Sequence, residues 1–167
     1  MKKNKLLQTT LIIAMMLLIA IAGSGQTKKA GKHPAGDAEF TKLIEGYYAA
    51  WSTLNTDNAD KYYAKDADLV FYDIAPMKYK NWAEYKQTVQ TTFLDTLSSG
   101  KLVPNMNDLR ITRRGTIAWT TVTFHLTGTP KAGGNAMEID ARHTAIWEKR
   151  GGRWLIVHEH VSVPLPG

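Results

Sequence analysis

Residues 143–164 read HTAIWEKRGGRWLIVHEHVSVP, and the Arg150-Gly151-Gly152 centre divides this stretch into two strands. Adjacent glycines supply the backbone freedom of a hairpin turn, and β-branched and aromatic residues flank them. Extended upstream, the first strand covers residues 137–149, and the second covers 154–163. Side chains alternate faces along a strand. In the first strand Met137, Ile139, Ala141, His143, Ala145 and Trp147 form the core-facing row. In the second, the same alternation puts Leu155, Val157, Glu159, Val161 and Val163 on one face. It puts Trp154, Ile156, His158, His160 and Ser162 on the other.

Working outward, residues 107–113 and 116–127 read as two more strands, with turns at Arg113-Arg114-Gly115 and over residues 128–135. Upstream the period changes. Phe40, Leu43, Ile44, Tyr47, Tyr48, Trp51 and Leu54 recur at helical spacing, and Asp37 suits the N-cap. Asp57 caps a short second helix carrying Tyr62 and Tyr63. Residues 69–74 (LVFYDI) form a strand ended by Ala75-Pro76. Asn81 and Glu84 have capping-box spacing at the head of a third helix marked by Trp82, Tyr85, Val89, Phe93 and Leu97, which Ser98-Ser99-Gly100 stops. Helices first and a strand meander afterwards predict an α+β fold, with three N-terminal helices packed on one face of a curved antiparallel sheet.

The chain has 167 residues, 21 Lys+Arg against 15 Asp+Glu, and no Cys. Without Cys there is no disulfide framework, thiol nucleophile or Cys-type zinc site. The excess charge of +6 is local, since Lys2, Lys3, Lys5, Lys28, Lys29 and Lys32 account for all of it. The body is neutral, so nucleic acid is not an expected partner. Lys2, Lys3 and Lys5 precede the apolar run 11–22 (LIIAMMLLIAIA), and Ala20-Ile21-Ala22 gives small residues at cleavage spacing. Residues 1–25 therefore read as a signal peptide, 26–36 as a flexible linker and 37–167 as the domain. The expected location is periplasmic or secreted. Whether the signal is retained as an anchor stays open.

Polar groups on inward rows point to chemistry. His143 and Glu159 sit among aliphatic neighbours, and Asp73 shares a face with Leu69 and Phe71. Singly, these are a satisfied core histidine, an edge position and a turn cap. Together, three acid/base groups on inward rows of one small domain predict a cavity. Trp119, Tyr85 and Trp147 are candidate walls, and His125, on the row of Trp119, joins them and Glu159 as candidate ligand contacts. His158-x-His160 puts two imidazoles on one face, without a third ligand at motif spacing, so no metal site is expected. The sequence contains no G-x-S-x-G, H-E-x-x-H, P-loop or G-x-G-x-x-G motif. No cofactor is expected.

The 143–164 hairpin resembles that of SnoaL-like proteins and of the calcium/calmodulin-dependent kinase II association domain, within the NTF2-like (ketosteroid isomerase-like, cystatin-like) superfamily. The order of elements over residues 37–164 agrees. The resemblance implies a cone with a deep pocket, with Asp73 at the position of the isomerase's general base. It implies that Tyr47 donates to a developing oxyanion, and that His143 falls where the isomerase keeps a protonated acid. The association domain's pocket arginines align with Thr121, Ala145 and Val161, so its carboxylate-binding cluster is absent here.

Two readings follow. One is a cofactor-independent isomerase or lyase with Asp73 as base, acting on a small apolar or carbonyl-bearing molecule. The other is a non-catalytic ligand-binding or association module. A homodimer through the outer sheet face is expected in either case.

Overall fold

The computed structural model describes residues 35–165, with side chains from Ala38 onward. The signal peptide and nearly all of the linker lie outside the described residues, as does the Asp37 side chain offered as a cap. Helix α1 spans Ala35–Trp51 and so begins two residues before the expected domain boundary. Its apolar stripe is buried as its spacing predicts, with Phe40 and Ile44 fully enclosed and Tyr47, Tyr48 and Trp51 nearly so.

Helix α2 is one turn, Thr56–Ala59, followed by a 3-10 turn over Asp60–Tyr62. Asn55, not Asp57, caps it: the Asn55 side chain accepts from the Asp57 N–H at 2.9 Å. Asp57 lies in the first turn instead, where its charge suits the helix dipole. Gly46 of α1 makes room for this turn, since a Cβ there would lie 2.6 Å from the Tyr62 hydroxyl. Helix α3 covers Trp82–Thr92 and starts as expected, with Asn81 accepting from the Glu84 N–H at 2.9 Å. The return bond of the box goes from Lys80 N–H to Glu84 Oε2, one residue before the usual partner.

Five strands among the described residues make one antiparallel sheet: β1 Leu97–Pro104, β2 Arg110–Arg114, β3 Ile117–Pro130, β4 Met137–Arg150 and β5 Arg153–Ser162. Both β1 and β2 pair with β3, β1 against its second half and β2 against its first. Strands β4 and β5 continue the sheet on the other side of β3. The β4–β5 hairpin turns on Gly151 (φ 54°) and Gly152 (φ 80°), and Arg150 pairs with Arg153. Positive φ at both central residues is the type I′ requirement that the Gly-Gly pair meets without strain.

Two expectations about strands are corrected. Residues 97–104 form β1, where a helix end and a stop were expected. Phe93 leaves helical geometry (φ −128°, ψ −65°), a 3-10 turn follows, and the chain enters β1. Ser, Gly and Lys carry little strand propensity, so this edge forms through its pairing to β3. The Ser52 hydroxyl also accepts from the Leu102 N–H at 2.9 Å. Residues 69–74 do not form a full strand. Phe71 pairs back to Tyr79, while Tyr72 docks on β5 through Tyr72 N–H to Glu159 O (2.9 Å) and Val161 N–H to Tyr72 O (3.0 Å). The turn that follows at residues 73–78 folds the segment back on itself before it can extend.

The inward row of β4 is as expected, with Ala141, His143, Ala145 and Trp147 all buried. Strand β5 departs from simple alternation. Ile146 faces His158 but Trp147 faces Ile156, which leaves Val157 as an extra residue in a β-bulge. The bulge reverses the phase. Trp154 and Ile156 point inward below it, and Glu159 and Val161 point inward above it. Leu155 and Val157 therefore do not share the face of Glu159.

The bulge yields a direct check. Ile156→Ala should destabilise the domain by about 2–4 kcal/mol, as a large-to-small change in a closed core. Val157→Ala should cost under about 1 kcal/mol. Urea unfolding of the two variants measures the difference, and the reverse ranking would mean that β5 alternates without a bulge.

Candidate functional site

The candidate functional region lies between α1, α3 and the inner face of the sheet. A cavity of about 420 Å³ opens there. Tyr47 and Tyr48 reach it from α1, Tyr85 from α3, Phe124 from β3 and His143 from β4, while Asp73 enters from the segment docked on β5. Its walls are mainly aromatic and aliphatic. Among the described residues no Lys or Arg lines it.

Behind the cavity lies a fully buried carboxylate. Glu159, at 0% exposure, accepts from the Tyr47 hydroxyl (3.0 Å to Oε2) and from the Tyr63 hydroxyl (2.9 Å to each oxygen). His143 Nε2 stands 3.3 Å from Glu159 Oε2 without hydrogen-bond alignment. The other ring nitrogen, Nδ1, lies 2.9 Å from the Tyr48 hydroxyl. Burial pushes the Glu159 carboxyl up, but His143 and the hydroxyls of Tyr85 and Tyr63 outweigh it and hold the group below its ordinary value. Burial and the adjacent Glu159 charge drive the Tyr47 and Tyr63 hydroxyls upward, so both stay protonated donors.

Asp73 experiences the opposite balance. Its Oδ1 accepts from the Ile74 N–H at 2.7 Å and its Oδ2 from the Tyr85 hydroxyl at 3.1 Å. Burial dominates these bonds, Glu159 adds repulsion, and the carboxyl is pushed up to about 6.

The structure thus brings five of the sequence-derived candidates together: Asp73, Tyr47, His143, Tyr85 and Glu159. It separates three others from the cavity. Trp119 faces outward at 40% exposure, with the Arg114 guanidinium 6.0 Å from its ring, because the even residues of β3 face the core. His125 shares that outer row and pairs with Asp140 at 2.8 Å. Trp147 is inward but entirely enclosed, packed edge-on against Phe40 with its indole N–H on Thr120 Oγ1 at 3.0 Å, so it is core and not wall. His158 and His160 flank the Tyr72 ring on the outer face. Among the described residues no group of three His, Asp or Glu side chains is placed to hold a metal ion.

Sequence reasoning missed Tyr48 and Tyr63 as parts of the network. Tyr48 lay on the predicted α1 stripe beside Tyr47, and a buried hydroxyl needs a partner, which was the available signal. Tyr63 could not be found this way. It stands beyond the 3-10 turn, in extended conformation, stacked on Trp82 at 3.7 Å between ring centroids.

The model of the family described as SnoaL-like domain matches residues 41–166, most of the chain. The chain belongs to the SnoaL-like domain family. Among curated proteins no relative matches this SnoaL-like chain. Solved structures agree on the fold. An NTF2-like superfamily protein from Salmonella enterica is 21% identical over 77% of this chain and 91% of its own, with a TM-score of 0.70. A protein from Xanthomonas campestris, provisionally assigned as a calcium/calmodulin-dependent protein kinase II association domain, is 25% identical over 75% of this chain and 86% of its own, with a TM-score of 0.63. A provisionally assigned dehydratase of the NTF2-like family from Streptomyces avermitilis is 14% identical over 80% of this chain and all of its own, with a TM-score of 0.66.

In this SnoaL-like domain the Asp73 shift has a consequence for stability. The folded carboxyl holds its proton to about pH 6, whereas the unfolded chain releases it near 3.8. Stability from this group is therefore full at low pH and declines as pH rises from about 4 to about 6. Asp73→Asn cannot ionise and retains an acceptor for Tyr85. It should be more stable than the native chain by about 1–2 kcal/mol at pH 8, with no gain at pH 3.5. Thermal unfolding across that pH range measures it, and a gain independent of pH would exclude the proposed cause.

Proposed function

We propose that this protein is a cofactor-independent isomerase or lyase acting on a small apolar carbonyl compound, with Asp73 as general base. One observation carries the reading: a carboxylate of raised proton affinity lines a mainly aromatic and aliphatic cavity, to which no Lys or Arg among the described residues contributes. A base titrating near the working pH transfers protons efficiently in both directions. Ionised Asp73 removes a proton from the carbon beside the carbonyl, breaking that C–H bond. The electron pair passes into a C=C bond and onto the oxygen as an enolate. The same proton returns at another carbon in an isomerase, or the enolate expels a leaving group in a lyase.

The enolate oxygen needs a donor. His143 lines the cavity, its Nδ1 lies 2.9 Å from the Tyr48 hydroxyl, and its Nε2 lacks a hydrogen-bond partner among the described residues. His143 is thus the donor this reading prefers. Tyr47, expected in that role from the resemblance, spends its hydrogen on Glu159. That engagement is also what favours the second reading, a non-catalytic ligand-binding module.

Proton exchange separates the two. In D₂O, with a panel of cyclic ketones, the enzyme should accelerate exchange of the protons beside the carbonyl, with a rate rising through about pH 6. Asp73→Asn should reduce the rate about 100-fold or more. Ketones that bind without exchanging would leave the ligand-binding reading.

Export is proposed on Lys2, Lys3 and Lys5, the apolar run 11–22 and the small residues Ala20 and Ala22 that end it. A homodimer through the outer sheet face is supported by Ile117 and Trp119, left 36% and 40% exposed there. Sedimentation equilibrium should give a dimer that Trp119→Glu dissociates, and a monomeric native protein would overturn the assignment.

A further inference from the structure

Asp73 is a desolvated carboxylate whose partners are neutral. Its oxygens accept from the Ile74 N–H and the Tyr85 hydroxyl. Among the described residues no Lys or Arg forms an ion pair with it. The other groups that act on it are Glu159, Tyr79 and His143. Glu159 is negative, Tyr79 is a neutral phenol whose hydroxyl is committed to Ala75 O at 2.8 Å, and His143 stands against Glu159. The site as a whole is therefore short of positive charge.

What surrounds this carboxylate is aromatic. Tyr47, Tyr48, Trp51, Tyr79, Tyr85 and Phe124 contribute to the cavity wall. Aromatic faces attract a cation through their quadrupole, and the attraction strengthens as water is excluded. A carboxylate left without a counter-charge in such a place gains most from an ammonium group that brings the missing charge and its own N–H donors. An anionic ligand meets the Asp73 carboxylate and no Lys or Arg among the described residues. A cavity of about 420 Å³ has room for a bicyclic body behind the charged group.

We infer that the cavity binds organic ammonium ions, namely ring-bearing amines whose charged nitrogen pairs with Asp73 and whose ring lies against the aromatic wall. This rests on the reading of the cavity as a ligand site and makes such amines competitors of a neutral substrate at the same carboxylate. It is separable from proton abstraction, because an ammonium occupies Asp73 without giving it a carbon-bound proton to remove.

Three probes of nearly equal shape isolate the charge: tryptamine, tryptophol and indole-3-acetate. Isothermal titration of the full chain at pH 8 should give tryptamine at least about tenfold tighter than tryptophol, with indole-3-acetate weakest. In Asp73→Asn the tryptamine advantage should fall to within about twofold while tryptophol binding is kept. Should that variant fold poorly, the native chain at pH 5 serves instead. There the tryptamine advantage should collapse, because the carboxyl is mostly protonated. Equal binding of amine and alcohol, tighter binding of the acid, or binding of none of the three would overturn the ammonium assignment. The ketone exchange assay judges the general base independently, so exchange without amine preference would remove this inference and leave the catalytic reading standing.

Discussion

A charge buried at zero exposure organises this domain. An isolated carboxylate at the position of Glu159 would cost several kcal/mol, and neither the aliphatic residues of β5 nor their neighbours on β4 could offset it. Its compensation comes from three other places in the chain: Tyr47 on α1, Tyr63 beyond the second helix, and His143 on β4. Each of those groups is itself nearly inaccessible, at 4%, 2% and 2% exposure. The network is therefore satisfied only when α1, the 3-10 turn, β4 and β5 occupy their native places together. Buried polar groups of this kind are a weak source of net stability, and their consequence is positional. Helix α1 cannot slide along the sheet by one turn without taking the Tyr47 hydroxyl away from Glu159.

The aromatic residues supply what the polar network cannot. Tyr63 stacks on Trp82, Phe71 and Tyr79 each stack on Tyr85, and Tyr47 stacks on His143. These rings are stiff and bulky, so they fill space without the rotamer freedom of aliphatic chains. They bridge α1, α3 and the sheet, and several of them line the cavity. Asp73 reaches that cavity because the 69–74 segment docks on β5 through only two main-chain bonds before turning away. A longer pairing would have extended the sheet and carried the Asp73 side chain elsewhere.

Much of this was legible in the sequence. The inward row of β4, the stripe of α1 and the Gly151-Gly152 turn follow from periodicity and turn chemistry, and they suffice for the α+β arrangement. Polar intruders in apolar rows pointed His143 and Glu159 inward, and both are buried. The losses have identifiable causes. A single extra residue at Val157 reversed the phase of half of β5, and no local pattern marks it, since Val is an ordinary strand residue. Trp119 and Trp147 are alike as residues, yet the pairing of Trp119 with Ile146 and of Ala118 with Trp147 sends one out and the other in. Strand β1 forms through partners distant in sequence, and Ser98-Ser99-Gly100 carries no hint of them.

The two carboxylates of the site show how one fold separates structure from reactivity. Glu159 and Asp73 belong to one connected region, with Tyr85 acting on both. Glu159 is more deeply buried, yet its proton affinity falls, because His143 and the hydroxyls around it answer its charge. Asp73 is only partly enclosed, yet its proton affinity rises, because two neutral donors answer less than burial demands. Burial alone thus does not rank the two, and the number and charge of their partners does. A carboxylate whose needs are met is inert toward ligands, whereas one whose needs are unmet has free energy to gain from whatever enters the cavity. On this ground we place the proposed chemistry at Asp73. Glu159, for all its burial, belongs to the frame that holds Asp73 in place.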